Sequence, residues 1–153
     1  MQGSDKSAAA WAALLLRVTM GALFIAHLYW KFAILPGGIE TWWANLAKNG
    51  YPDWCISYVL SVECVGALML IPGILTRYVA LYALPMMLGA AQYWLVRKGF
   101  YFTAAGCEMP LTWSVLLGLQ IMLGDGPYAL VKSPDPGRLL NRIFGRKADA
   151  QHA

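Results

Sequence analysis

One apolar run, Ala8 to Leu35, constrains this chain more than any other feature. It holds no acid and no proline, and its only basic side chains are Arg17, His27 and Lys31. About 20 apolar residues at roughly 1.5 Å each cross the hydrocarbon of a bilayer, so the run is long enough to span. A charge inside such a span costs on the order of 2.5–3.5 kcal/mol by insertion scales and normally faces a partner or a cavity. At about 100° per residue, Arg17, Met20, Phe24, His27 and Lys31 fall on one stripe. The other faces are Leu, Ala, Val, Ile and Trp. A helix written this way turns one polar stripe to protein and the rest to lipid.

Composition agrees with a membrane protein: 59% of residues are hydrophobic, 13% are charged, and the mean hydropathy is +0.50. Soluble domains carry about 25% charged residues. Four apolar segments can be drawn, at 10–34, 54–73, 77–96 and 108–124, each read as a transmembrane helix. Little chain is left over, so one domain is expected. The first segment makes a poor signal peptide, because Arg17 interrupts its core and no small-x-small cleavage site follows; it reads as retained. Lys6, Arg77, Lys132 and the basic tail fall on one side, and Lys48, Arg97 and Lys98 on the other. The richer side is expected to be cytoplasmic. Both termini then lie inside an inner (plasma) membrane crossed several times.

Two segments outside the spans are amphipathic. Ile39, Trp42, Trp43, Leu46 and Ala47 recur at helical spacing between Pro36 and Trp54, which predicts a short interfacial helix on the outer leaflet, ended by Asn49-Gly50 and Pro52. An aromatic-belt anchor is the favoured role for it, and a lid over an outward-facing cavity the alternative. After the turn-rich Ser133–Gly137, residues 138–147 set Leu139, Leu140, Ile143 and Phe144 against Arg138, Arg142 and Arg146. That predicts a basic amphipathic helix for an anionic inner leaflet, with a partner-docking helix as the alternative.

Depth gathers the candidate site. With that orientation His27 and Lys31 lie in the outer part of the first helix, Glu63 about 14 Å below the outer start of the second, Gln92 near the outer end of the third, and Glu108 at the start of the fourth with Trp113 nearby. The bland reading is polar glue, with Arg17–Glu63 and Lys31–Glu108 each cancelling a charge. Against it, His27 adds a titratable group that charge balance does not require. The aromatic surroundings also suit a flat conjugated ligand.

Other chemistries find little support. Cys55 and Cys107 fall near the outer surface and Cys64 lies mid-membrane, but no Cys-x-x-Cys or metal-ligand spacing occurs. A Cys55–Cys107 disulfide is left open by the sequence. The histidines are His27 and His152, the latter in the polar carboxyl end, so neither haem nor a metal is expected. There is no phosphate loop or nucleotide fingerprint, and membrane topology accounts for the positive charge without nucleic acid.

The string Arg17-Val-Thr-Met-Gly21-Ala-Leu-Phe24-Ile-Ala-His27, followed by Lys31, resembles the first helix of the DoxX family of small four-helix membrane proteins. Glu63-Cys-Val-Gly66 and Pro72-Gly73-Ile-Leu-Thr76-Arg77 are similar to its Glu-x-x-Gly and Gly-x-x-Thr-Arg pattern. Glu108-Met-Pro110 and Gly124-Asp-Gly126-Pro-Tyr128-Ala-Leu resemble the opening and close of its last helix, although the commoner family ending is Ser-Leu-Asp. The resemblance covers roughly residues 11–132. It implies the four-helix fold, a polar core of Arg17, His27, Lys31, Glu63 and Glu108, and a likeness to the membrane subunit of a thiosulfate:quinone oxidoreductase and to relatives associated with thiol and oxidative-stress enzymes.

The expectation is therefore an all-α chain: a four-transmembrane-helix bundle (1–132) with a short interfacial helix after the first span, and a basic tail (133–153) with its amphipathic helix. Its expected function is as the integral subunit of a redox complex, quinone-linked if it is an enzyme at all. His27 and Glu63 are the candidate proton-handling residues. Arg17, Lys31, Gln92, Glu108 and Trp113 are the candidate ligand contacts, and a quinone is the candidate ligand. The contrasting expectation is a non-catalytic anchor or assembly subunit, and a small-molecule carrier is the third class. Besides the lipid bilayer, the expected partners are other subunits of a membrane complex or further copies of this chain.

Overall fold

The computed structural model describes residues 2–134, with side chains from Ser7 onward. The basic helix expected over 138–147 lies outside the described residues. All the named elements are helical. The first, α1 (Gln2–Tyr29), runs without a break into a π-helical turn, Trp30–Ile34. It stops where Pro36 forces the preceding Leu35 into extended backbone (φ −64°, ψ 125°). Helix α2 (Gly38–Lys48) follows and closes at Asn49-Gly50, with Gly50 in the left-handed region (φ 85°). Pro52, extended, precedes α3 (Asp53–Met69). Helix α4 spans Thr76–Lys98 and α5 spans Glu108–Leu123, with a single 3-10 turn at Phe102–Ala104 between them. Pro110 is tolerated in the first turn of α5, where its missing N–H has no helical acceptor.

The four apolar segments read from the sequence are thus all helices, and the amphipathic segment between the first two is a helix of its own. Two stretches, Ser7–Ile34 and Thr76–Lys98, are long and apolar enough to cross a membrane. Helices α3 and α5, with 17 and 16 residues, extend about 25 Å, somewhat less than the ~30 Å of a hydrocarbon core.

Helix α1 packs on α3 and α5, and α4 packs on α3 and α5; α2 lies against the π turn and the adjoining part of α3. The core between them is made of Met20, Phe24, Val62, Leu70, Val79, Met86, Trp113 and Leu117. Small residues set the spacing. A Cβ at Gly66 would collide with the Phe24 ring, so α1 and α3 approach closely at that level. Within α4, Pro85 has no N–H to return to the helix, and one turn earlier the Tyr82 carbonyl accepts a hydrogen bond from the Tyr58 hydroxyl at 2.5 Å.

The end of the bundle opposite α2 is tied by the segment after α5. Leu130 and Val131 donate to the Pro72 and Gly73 carbonyls at 3.2 and 3.1 Å, and Leu75 donates to the Val131 carbonyl at 2.9 Å. Asp125 Oδ1 accepts from both the backbone N–H and the hydroxyl of Thr76, at 2.9 and 2.7 Å. Asp125 therefore caps the start of α4 from a distant loop. Its carboxylate also accepts from the Ser133 N–H and hydroxyl at 2.7 and 2.8 Å. Burial pushes the Asp125 carboxyl up, but these hydrogen bonds to Thr76 and Ser133 outweigh it and hold the group below the usual carboxylate range. Arg17 completes the clasp: its Nη2 donates to the Pro127 carbonyl at 2.9 Å, and its guanidinium fills the space a Cβ would need at Gly73.

Candidate functional site

The polar group buried at the other end of α1 is built around Lys31. An α-helix continued past Tyr29 would hold a fixed 100° step, whereas the π turn adds a residue, closed by the Leu35 N–H to the Trp30 carbonyl at 2.8 Å. Such single turns are frequent at functional sites. Lys31 is 3% exposed in it, although both of its neighbours, Trp30 and Phe32, face outward. The ammonium reaches across to α3 and meets both carboxylate oxygens of Glu63 at 2.5 Å. Both side chains are 4% exposed, so this is a fully buried ion pair in an apolar bundle.

Aromatic rings enclose it. The Lys31 ammonium lies over the Trp42 ring of α2, 4.0 Å from its centroid, which adds a cation–π contact to the ion pair. One turn before Lys31 on α1, the His27 ring contacts Trp113 of α5 edge-on at 5.0 Å. Trp113 in turn meets Phe24 at 5.5 Å in a T-shaped pair. Trp113 and Phe24 are buried and His27 is exposed. The elements that converge are therefore the π turn, α2, α3 and α5.

The candidate residues do not all join this group. Lys31, Glu63, His27 and Trp113 lie together. Arg17 stands about 21 Å away along α1, in the clasp with Pro127 and Asp125. Gln92 is on the exposed face of α4. Glu108 accepts a hydrogen bond from the Phe102 N–H at 2.9 Å, folding the loop before α5. The pairings weighed from sequence, Arg17–Glu63 and Lys31–Glu108, are accordingly corrected. Glu63 takes Lys31 because that lysine sits at its level of the bundle on the buried face of α1 and its π turn, whereas Arg17, about 21 Å away along the helix, is held by a backbone carbonyl 110 residues away. Trp42, Thr76 and Asp125 were not among the candidates. Trp42 was legible only as part of an amphipathic face, and Thr76 and Asp125 only as members of short motifs. The three cysteines are free thiols, so no disulfide joins Cys55 to Cys107. Among the described residues no three His, Cys, Asp or Glu side chains converge to hold a metal ion.

The DoxX family profile matches residues 12–103, more than half of the chain, including Arg17, Lys31, Glu63 and Thr76. The chain belongs to the DoxX family. No curated protein and no solved structure matches it. Membership makes it a membrane protein, in keeping with its two long apolar helices. In DoxX terms, the Glu-x-x-Gly string places its Glu on Lys31 and its Gly against Phe24. The Gly-x-x-Thr-Arg string places its Gly under Arg17 and its Thr on Asp125. These two strings thus meet in two separate polar clusters, one at each end of the bundle, while Glu108 of Glu108-Met-Pro110 joins neither.

Chemically, the Lys31 cluster offers a buried ammonium and carboxylate in contact, an indole face against the ammonium, and an exposed imidazole one turn away. Imidazole is the side chain whose ordinary protonation range lies nearest neutrality. The cluster at the other end spends the Asp125 and Thr76 hydrogen bonds in tying loops together, while Nε and Nη1 of Arg17 are buried without a hydrogen-bond partner among the described residues.

Proposed function

We propose that the chain is the integral subunit of a membrane redox assembly, with a quinone-type substrate approaching the Lys31–Glu63 pair beside His27. All four long segments cross the inner membrane in this reading, with α2 on the outer leaflet and both termini in the cytoplasm. Residues 1–132 form the one transmembrane domain in this reading, followed by the basic tail, 133–153. The observation that carries the reading is the buried Lys31–Glu63 pair roofed by Trp42. Charges are placed in hydrocarbon where a pathway or ligand requires them.

Reduction of a quinone to a quinol takes two electrons and two protons. The electrons come from a partner subunit. The protons are the part this chain can supply: the Lys31 ammonium against Glu63 holds one, and the imidazole of His27 is the group that passes the other from the surroundings. A conjugated ring in this reading approaches from the His27 side, with Trp113 behind the imidazole and the Lys31 ammonium, over Trp42, as the nearest donor. Arg17, Gln92 and Glu108 stand outside this contact set and play no part in it.

A second reading is favoured by the closure of the pair. A carboxylate that binds both oxygens to one ammonium is already satisfied, as a strut in an anchor or assembly subunit would be. The two readings separate on the native assembly. A quinone subunit retains quinone in the lipid extract of the purified complex, and His27→Ala abolishes its quinone-dependent turnover while the subunits stay together. Full turnover without His27, in a complex that carries no quinone, assigns the chain to the anchor class.

A further inference from the structure

Helix α4 has two faces of unlike destiny. Val79, Ala80, Ala83, Met86, Met87 and Ala91 are buried against α3 and α5. Leu81, Tyr82, Pro85, Leu88, Gly89 and Gln92 are exposed. On a 100° wheel these sets occupy opposite arcs, and Gln92 lies near the middle of the exposed one. Lipid covers leucine at no cost, but it offers nothing to an amide. Met87 is the midpoint of α4. Gln92 is five residues beyond it, about 7.5 Å along the axis, inside the roughly 15 Å half-thickness of the hydrocarbon. Its amide makes no hydrogen bond to any described residue, whereas the hydroxyls of Tyr58, Ser61 and Tyr82 further along α3 and α4 are all engaged with one another or with backbone.

We propose that this face of α4 receives a second copy of the chain, the two copies pairing through their Gln92 amides about an axis along the membrane normal. Copies inserted in the same sense can be related by such a two-fold, so residues on the axis meet their own counterparts. Among uncharged side chains, a carboxamide is self-complementary in this arrangement: each N–H donates to the other's carbonyl oxygen. Backbone approach is the second requirement. Gly89 lies one turn from Gln92, and a Cβ there would meet nothing within 4 Å, so this side of α4 has no protein of its own against it. Glycine at a helix crossing in lipid allows the close contact that interhelical hydrogen bonds need. Charged groups do not oppose the contact, since the nearest, Arg97 and Lys98, sit beyond it in the last turn, where Arg97 folds onto Tyr93.

The inference rests on α4 crossing the bilayer but not on the quinone reading. It is tested on the full chain in native membranes. In a cysteine-free background, Gln92→Cys forms a disulfide-linked dimer on mild oxidation, whereas Leu15→Cys, on the exposed face of α1, does not. Energy transfer between donor- and acceptor-labelled copies in lipid vesicles reports association without any cysteine at the interface. Gln92→Leu weakens it about three- to thirty-fold, the equivalent of one interhelical hydrogen bond, and Gln92→Asn restores part of it. Equal energy transfer in wild type and Gln92→Leu overturns the inference, as does a Gln92→Cys side chain that links only to a different protein. Rapid labelling of Gln92→Cys by a water-soluble maleimide removes position 92 from the hydrocarbon and overturns the premise. A protected cysteine that fails to cross-link overturns the self-association alone.

Discussion

Lys31 and Glu63, 32 residues apart in sequence, close a two-oxygen ion pair at 2.5 Å with neither side chain more than 4% exposed. In a medium this apolar the pair stands or falls as a unit. Removing one partner leaves an uncompensated charge in the bundle, a change that costs about 3–5 kcal/mol in soluble proteins. Glu63→Gln and Lys31→Met are each expected to lower the thermal midpoint in detergent strongly. The double variant, which buries no charge, is expected to recover most of the loss. A double-mutant cycle on the melts checks this. Additive effects would mean that the two groups are solvated separately.

The clasp at the other end makes a different demand. Gly73 is in the left-handed region (φ 76°), and the Arg17 guanidinium occupies the place of its missing Cβ. Gly73→Ala therefore meets three penalties: about 1–3 kcal/mol of backbone strain, displacement of Arg17 from the Pro127 carbonyl, and a 2.8 Å approach to the Ala129 backbone. Arg17→Ala in the same chain removes the second penalty and leaves the other two. Gly73→Ala is expected to destabilise less in the Arg17→Ala background than in wild type, as read by unfolding in mild detergent. The same loss in both backgrounds would show that the guanidinium does not rest on Gly73.

How much of this was legible in the sequence depends on the range of the interaction. The helices were, because apolar runs bounded by Pro36, Gly50-Tyr51-Pro52, Gly73, Gly99 and Gly124 carry their own start and stop signals. The α2 helix was, because Trp42 and Leu46 repeat at a helical period. The partner of Glu63 was not. A 100° wheel groups Arg17 and Lys31 on one stripe, yet it carries no information on which of them the next helix meets, and it cannot register the extra residue of the π turn. Nor could it place His27, at the edge of that stripe, on the exposed side. Arg17 was read as a candidate for a carboxylate, but its hydrogen-bond acceptor is the backbone of Pro127, which no side-chain pattern reveals. Asp125 and Thr76 appeared as motif letters without a role, because distant capping of a helix requires the fold to be known.

Asp125 gives the clasp a pH dependence of definite sign. Its folded carboxyl lies below the usual range, which is near 3.9 for an unperturbed Asp. The folded state therefore binds the proton less readily than the unfolded one. The stabilisation is complete above the ordinary value and is lost as pH falls through the depressed folded value. Hydrogen-exchange protection of the Thr76 and Ser133 amides, both donating to this carboxylate, is expected to fall on acidification in that range. In Asp125→Asn, protection should be weaker at neutral pH and flat on acidification. Protection in wild type that persists well below the carboxylate range would remove the carboxylate from the role of cap.

Which compartment the Lys31–Glu63 pair opens to follows from the orientation of the bundle. Lys132 belongs to the clasped end with Arg77, and Lys48 closes α2 at the other end, with Arg97 and Lys98 on the same side. In the proposed orientation, the excess of basic residues, counted with Arg138, Arg142, Arg146 and Lys147 of the tail, puts the clasped end in the cytoplasm. Both test positions are exposed, so a single cysteine at either is open to reagent without disturbing packing. In right-side-out vesicles of a cysteine-free background, an impermeant maleimide is expected to label Lys48→Cys at once. Lys132→Cys should be labelled only after the vesicles are opened. The reverse pattern would turn the Trp42 roof and the ion pair toward the cytoplasm, so that protons for any chemistry at His27 would be drawn from that side instead.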